Sequence, residues 1–312
     1  MSRFLVTGGA GFIGSGTVDR LVALGHEVRV IDNLSSGSLD NIAAVINKVD
    51  FMCGDLSDFN TAQEAVCGIE YIIHMAALPS VFRSVRDPVK CNESIVTASV
   101  NLFKAAVDAK SVRRVVQAAS ASAYGNDPVL PKREDMIPAP ISPYAAAKLA
   151  QEYYGRVFYN TYGLEVASLR YFNVYGPRQD RNSVYSAVIP KFVSAMLGGE
   201  RPVIFGDGLT SRDFVYIDDV VDANILSCYA EWDKMYETFN IGSGESITLN
   251  NLVDIVNGIL GTHITPKYEQ FKADDVLHSR ADIRRAKHIL NFNPKVGIEE
   301  GLKRFVECVK CK

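Results

Sequence analysis

TGGAGFIGS, Thr7 to Ser15, follows the first short apolar run of the chain, Phe4–Thr7, and leads into a helical pattern over Ile13–Leu24. Gly8, Gly11 and Gly14 recur at every third position, and Gly9, Gly11 and Gly14 fit G-x-G-x-x-G. Glycines at this spacing permit a tight strand-to-helix turn and let the backbone approach a diphosphate. The helix that follows points its first N–H groups and its positive dipole end at that anion. A glycine pattern alone fits a plain strand–helix turn equally well, so the context has to decide.

The context repeats the arrangement. Apolar, β-branched runs at Val28–Asp32, Asp50–Cys53, Tyr71–His74, Arg114–Ala118 and Glu165–Arg170 alternate with helical patterns at Phe59–Val66, Ser94–Ala109 and Tyr144–Tyr162. Strands alternating with helices predict an α/β fold, a doubly wound parallel sheet of Rossmann type. Such sheets bind ligands beyond the C-terminal ends of their strands. The second run ends in Asp32, 18 residues after Gly14. An acid there accepts from ribose hydroxyls and repels a 2′-phosphate, which points to NAD rather than NADP. Asp55-Leu56 after the third run and Ala76-Ala77 after the fourth suit the adenine, ribose and diphosphate. The second half is less regular, with helices expected at Ala187–Leu197, Val220–Ala230, Leu249–Gly258 and Ile283–Leu290 and a strand at Glu237–Ile241. It reads as a smaller C-terminal lobe for the substrate. The expected division is 1–172 with part of 214–242 for the cofactor, and 173–213 with 243–312 for the substrate.

The totals exclude other classes. With 312 residues, 47% hydrophobic and 22% charged, the chain has ordinary soluble composition for one large domain or two cooperating ones. A net charge of −3 gives no footprint for nucleic acid, and no apolar run approaches a membrane span. The six cysteines are scattered, and only Cys308 and Cys311 form C-x-x-C, without the further ligands a zinc site needs. Scatter of this kind, with no secretion signal at the N-terminus, fits the reducing cytoplasm and argues for no metal.

PYAAAK, Pro143 to Lys148, carries the chemistry. Four residues is one helical turn, so Tyr144 and Lys148 share a face. The alanines between them leave that face low enough for a flat ring to lie against. A phenol with pKa ~10 is too weakly acidic to serve as a base at neutral pH, and a nearby ammonium lowers that value. Ser120, at the end of the fifth run, can hydrogen-bond both the phenol and a substrate oxygen. Such a set removes the proton of an alcohol while its carbon gives up hydride to NAD. A surface Tyr–Lys pair at helical spacing is the plain alternative.

The motifs together resemble the extended short-chain dehydrogenase/reductase family, and within it the nucleotide-sugar 4-epimerases of UDP-glucose or UDP-N-acetylglucosamine type. The resemblance runs from Phe4 to about Phe305 and rests on TGGAGFIGS, DNLSSG, HMAA, SASAYG, YAAAK, LRYFNVYGPRQ, GDGLTSRDFVYIDDV and DVLHSRADI. It implies Tyr144 as general base, Lys148 as its tuning partner and ribose ligand, and Ser120 as the group that orients the 4-hydroxyl. It extends the cofactor set from Gly8, Gly11, Gly14, Asp32, Asp55, Leu56, Ala76 and Ala77 to Phe12, Ile13, Asn33, Ser35, Ser36, Gly37 and Tyr171. For the UDP-sugar it implies Asn173 and Arg212 at the diphosphate and Val203 to Phe205 at the uracil. Asp275 would stand near the nucleoside, with Ser80, Ser122, Gln179 and Ala187 near the sugar. Ser279 matches a gate position where a small residue leaves room for an N-acetyl group. The family commonly forms homodimers through two helices per subunit, here Ser94–Ala109 and Tyr144–Tyr162.

The chain departs from the family pattern at three places. Ile95 stands where an asparagine is usual, with Asn92 a turn earlier as a substitute. Lys272 replaces an arginine before Ala273-Asp274, and Phe82 replaces a proline. Rival readings remain. Dehydratases and decarboxylases of this scaffold carry acids beside the catalytic Ser/Thr, where this chain has Ala121-Ser122. A UDP-glucuronate 4-epimerase would use Ser80, Ser122 and Arg83 for the carboxylate. A non-enzymatic NAD-binding protein would have no use for the Tyr–Lys–Ser set.

Overall fold

The computed structural model describes residues 1–78, 80–179, 188–233, 236–270 and 277–310. Seven strands form one parallel sheet, six of them in the first half: β1 (Arg3–Thr7), β2 (Glu27–Asp32), β3 (Asp50–Cys53), β4 (Tyr71–His74), β5 (Arg114–Ser120) and β6 (Glu165–Tyr171). Four short strands follow: β7 (Asn173–Tyr175), β8 (Val203–Phe205), β9 (Ser211–Arg212) and β10 (Phe214–Tyr216). Then come β11 (Tyr236–Ile241), β12 (Ile247–Thr248) and β13 (Lys267–Glu269). The sheet order is β11-β6-β5-β4-β1-β2-β3, with the order reversing between β1 and β4. That crevice is where doubly wound folds bind their ligands.

The helices of the first half are α1 (Phe12–Ala23), α2 (Phe59–Val66), α3 (Val81–Arg86), α4 (Pro88–Asn92), α5 (Ala98–Ala109) and α6 (Pro143–Tyr162). Those of the second are α7 (Val188–Leu197), α8 (Ile217–Tyr229), α9 (Leu249–Leu260), α10 (Arg284–Leu290) and α11 (Ile298–Lys310). β1 alternates its side chains between two cores, as a strand buried on both faces must. Phe4 and Val6 join Val18 and Leu21 of α1 and Val220 and Ala223 of α8 on one face. Leu5 faces Ala62 of α2, Leu102 and Phe103 of α5 and Phe158 of α6 on the other. A third core gathers Phe192, Val193, Leu252, Val256, Leu302 and Phe305 from α7, α9 and α11 beside β10. No described helix is long and apolar enough to cross a membrane.

Differences from the expected elements have local causes. The helix expected from Ser94 begins at Ala98, after a π-helical turn over Glu93–Thr97. Such turns leave a carbonyl without its usual partner; here the Ser99 hydroxyl donates to the Ile95 carbonyl. Helices α3 and α4 were not expected. Asp87 separates them, ending α3 and capping α4 through the Lys90 N–H at 2.9 Å, with Pro88 at the first position of α4. β5 runs two residues beyond Ala118, which carries Ser120 to the sheet edge. The two- and three-residue strands of the second half were missed because periodicity cannot register so short a run.

Candidate active site

The glycine loop is built by backbone approach. Gly8 has φ +65°, and a Cβ there would lie 2.9 Å from the Ala76 nitrogen. A Cβ on Gly14 would fall 2.1 Å from the Gly8 carbonyl oxygen. Gly11 caps α1 with no side-chain hydrogen bond, so the first-turn amides of this 12-residue helix lack a side-chain acceptor and suit a diphosphate. Asp32 accepts from Ala10 N at 3.0 Å and Leu34 N at 2.8 Å, one bond per oxygen. A carboxylate has about four acceptor positions, which leaves two for a pair of ribose hydroxyls. Asp55 accepts from the Asn33 amide and Ser57 N, both at 2.9 Å. Burial raises its pKa, but the Ser57 and Asn33 hydrogen bonds and the Lys90 ammonium outweigh that and leave it below the usual range.

A buried relay fixes the end of β4. Ser99 gives its proton to Ile95, so its oxygen accepts from His74 Nε2–H at 3.0 Å. His74 Nδ1 then accepts from the Thr7 hydroxyl at 2.7 Å, and the Thr7 oxygen accepts from Met75 N and Ala76 N, each at 3.1 Å. Burial, then the Lys148 charge, pushes the His74 pKa down to about 3, so the ring is neutral.

These parts wall a cavity of about 480 Å³. Gly8, Gly11, Phe12, Ile13, Gly14, Asp32, Asn33, Ser35, Ser36, Asp55, Leu56, Ala76, Ala77, Tyr144, Lys148 and Tyr171 all line it, as do Ser80 and Gln179 from the expected sugar set. Gly37 does not. Its place is steric: a Cβ there would meet the Ala10 carbonyl at 2.9 Å, so glycine lets that loop lie against the α1 entry. The residues present fit NAD in its adenosine, diphosphate and nicotinamide-ribose parts.

Ser142 caps α6 and Pro143 occupies its first turn, which brings Tyr144 to the cavity wall. Lys148 is buried, donating to the Ala118 carbonyl at 2.7 Å and to Gln151 Oε1 at 3.0 Å. Burial lowers its pKa to about 8, against the opposing pull of Cys91 and Glu152. The Tyr144 phenol is pushed up to about 12 by burial, while a hydrogen bond with Ser120 draws it back. Burial therefore outweighs the lowering expected from the nearby ammonium. The ammonium is held by Ala118 and Gln151, and the phenol's own desolvation dominates. The alanine face is corrected. Ala145 and Ala147 are buried, Ala147 against Cys91 and Ile95, and only Ala146 is exposed. The low wall is made instead by Ala118 and Ala119 of β5 with Ala76 and Ala77.

The remaining sugar-side residues stand at the end of β5 and in the second half. Ser120 accepts from Ser122 N at 3.2 Å and from the Ser122 hydroxyl at 2.8 Å. The Asn173 amide donates to the Asp213 carbonyl at 3.0 Å and to Ser279 Oγ at 3.3 Å. Arg212 donates through Nη1 to the Ser211 and Leu277 carbonyls. The hub is Asp213, fully buried, whose carboxylate accepts from Ser243 N and Oγ, Gly244 N and Ala281 N. So Asn173, Arg212 and Ser279 are brought together. Val203 and Phe205 sit on a separate ladder, β8 with β13. Ala187, Asp275, Lys272, Ala273, Asp274 and Cys311 lie outside the described residues. Asn92 is exposed and not on the cavity wall; Ser94 is there instead, with Lys90 one turn before it. Met75 and Arg178 also line the cavity and were missed. Arg178 pairs with Asp19 of α1 at 2.6 Å, and only its place in LRYFNVYGPRQ could have marked it.

Residues 4–242 match the NAD dependent epimerase/dehydratase family. The chain is 40% identical over 314 residues to the UDP-glucose 4-epimerase of Mycolicibacterium smegmatis, covering 99% of both chains. The structure of UDP-N-acetylglucosamine 4-epimerase from Methanobrevibacter ruminantium, in complex with UDP-N-acetylmuramic acid, superposes with TM-score 0.95 at 40% identity, covering 99% of this chain and 98% of that one. UDP-glucose 4-epimerase from Thermotoga maritima, with UDP-glucose, gives 0.93 at 40% identity, covering 99% of each. Glycine loop, Asp32, the Tyr144–Lys148 helix and the likeness across nearly the whole length agree: the chain belongs to the NAD dependent epimerase/dehydratase family.

Proposed function

We propose that this protein is an NAD-dependent UDP-hexose 4-epimerase acting through a 4-keto sugar. UDP-glucose/UDP-galactose and UDP-GlcNAc/UDP-GalNAc are the pairs it interconverts. The observation that carries the assignment of roles is Tyr144 on the wall of a dinucleotide-sized cavity, with the buried Lys148 one turn along α6 on the same wall. NAD, when bound, supplies the acceptor and then the donor of the hydride at C4. Tyr144 takes the proton from the 4-hydroxyl and returns it to the 4-keto oxygen once the sugar has turned its other face to the ring. Ser120 orients that oxygen. Lys148 holds the nicotinamide ribose, and its charge adds to that of the oxidised ring in lowering the phenol from about 12. Arg212 and Asn173 hold the diphosphate, an arginine fork suiting phosphate oxygens. Val203 and Phe205 border the uracil. Ser80, Ser122 and Gln179 surround the sugar, with Ser279 leaving room for an N-acetyl group.

The cofactor half would be 1–172 with part of 214–242, and the sugar-nucleotide lobe 173–213 with 243–312. A cytoplasmic homodimer through α5 and α6 completes the reading. Tyr153, Tyr154 and Val157 support the dimer, being 40–53% exposed on α6. Arg83 on the cavity wall favours one second reading, a UDP-glucuronate 4-epimerase.

Proton NMR of the purified protein with UDP-glucose, UDP-GlcNAc and UDP-glucuronate in turn, without added NAD, tests both. A new anomeric signal from a 4-epimer of a neutral sugar supports the first reading. Conversion of UDP-glucuronate alone supports the second, and no conversion even with added NAD overturns both.

A further inference from the structure

We infer that Ser84 is a positioning residue for Tyr144, coupling the sugar side of the cavity to the base; this rests on the role given to Tyr144 above. A helix begins with N–H groups that have no partner within it, and in α6 each is accounted for. Pro143 has none. Ala145 N donates to Ser142 Oγ at 3.2 Å and Ala146 N to the Ser142 carbonyl at 2.9 Å. The amide left over is that of Tyr144 itself, and it donates to Ser84 Oγ at 3.1 Å. That acceptor comes from 60 residues away in sequence.

Ser84 is held in turn. Its side chain is 2% exposed, its hydroxyl donates to the Val81 carbonyl at 2.6 Å, and its own N–H donates to the Ser80 carbonyl at 3.0 Å. Ser80, which caps the same short helix, and Arg83 within it line the cavity. One hydroxyl therefore ties the backbone of the base to a helix whose other face meets the ligand. The rest of the α6 entry is capped locally and would form without α3. With the bond gone, α6 keeps its caps and its buried face, but Tyr144 loses the contact that sets its distance from Ser120 and from a sugar resting on α3. Small displacements of a proton-transfer group have large effects on rate and little on binding.

The test is Ser84→Ala, which deletes one oxygen. Asp58→Ala serves as control; it removes a helix cap of the same kind, Asp58 Oδ2 to Thr61 N at 2.8 Å on α2, remote from the base. Wild type and Tyr144→Phe are run beside them. The expected result is a kcat for Ser84→Ala lower by about tenfold, with KM and bound NAD per subunit unchanged and Asp58→Ala turning over as wild type. A kcat within about twofold of wild type overturns the inference. So does a loss of kcat matched by loss of NAD, or an equal loss in Asp58→Ala, since either means general destabilisation. If wild type converts no UDP-sugar, or Tyr144→Phe turns over normally, the underlying reading has failed instead.

Discussion

The cofactor side and the sugar side of this molecule are held together by opposite means. On the cofactor side the decisive contacts join the ends of adjacent parallel strands: Gly8 N to the Ile31 carbonyl, Ala10 N to Asp32, and Met75 N and Ala76 N to Thr7. Forming the sheet forms the site. On the sugar side one carboxylate, Asp213, gathers Ser243, Gly244 and Ala281 from 30, 31 and 68 residues away. That site exists only once the C-terminal segment has docked. Damage on the first side should therefore be local and chemical, and damage on the second should spread through the lobe.

The sharpest break of this comparison is Tyr144→Phe. It removes a proton-transfer group without touching a strand end, and general acid–base groups are worth roughly 10²–10⁴ in rate. Turnover should fall by about 10³ in a 4-epimer NMR assay, with bound NAD and melting temperature unchanged. Loss of NAD along with turnover would mean that the tyrosine is a structural part of the cavity.

Asp213→Ala attacks the other side. It strips the acceptor from three backbone amides, those of Ser243, Gly244 and Ala281. Buried donors left unsatisfied cost about 1–3 kcal/mol each, and partial relaxation should bring the total to about 3 kcal/mol in denaturant unfolding. Because Arg212 precedes it and Ser279 Oγ accepts from its N–H, KM for the UDP-sugar should rise while NAD stays bound. A variant that lost NAD first would show the two halves to be less separate than their contacts.

The same contrast explains what could be read in the sequence. Strands β1 to β6 alternate with helices, and their ends carry glycine, Asp32, Asp55 and Ser120, so periodicity placed both the elements and the groups beyond them. The sugar side has no such frame. β9 and β12 have two residues each, and nothing local to Asp213 marks it as a hub, since its partners are distant. Arg212, Asn173 and Ser279 came from resemblance alone, and the structure then brought them together. Ser94 was hidden by the π-helical turn, which shifts the wall-facing positions of the segment away from the register of a continuous α-helix. The burial of the Tyr144 phenol could not be read either, because spacing puts Lys148 on its face but says nothing of the desolvation that raises it.

Gly14→Ala sharpens the cofactor side further. Its Cβ would fall 2.1 Å from the Gly8 oxygen, a backbone atom that cannot swing away. The first turn of α1 must shift from the diphosphate position, and NAD affinity should drop by about 100-fold, about 2.8 kcal/mol at 1.4 kcal/mol per factor of ten. Isothermal titration of the cofactor-stripped protein measures it. Unchanged affinity would mean that the loop yields more easily than its close contacts imply.

The smallest effect reads the relay behind the loop by pH. Folded His74 takes a proton only near pH 3, against 6.5 for an ordinary histidine. Between those values the unfolded chain binds the extra proton. Stability is therefore intact above about pH 6.5 and is lost as pH falls, by at most about 1.4 kcal/mol per unit and about 2 kcal/mol by pH 5. His74→Gln keeps a donor and an acceptor but cannot titrate, so this part of the slope should vanish. Denaturant unfolding of both proteins at pH 7.5 and pH 5 isolates it, because carboxylates shared by the two cancel in the difference. Parallel slopes would mean that the ring charges inside the sheet, and that the end of β4 is softer than its strand-to-strand hydrogen bonds require.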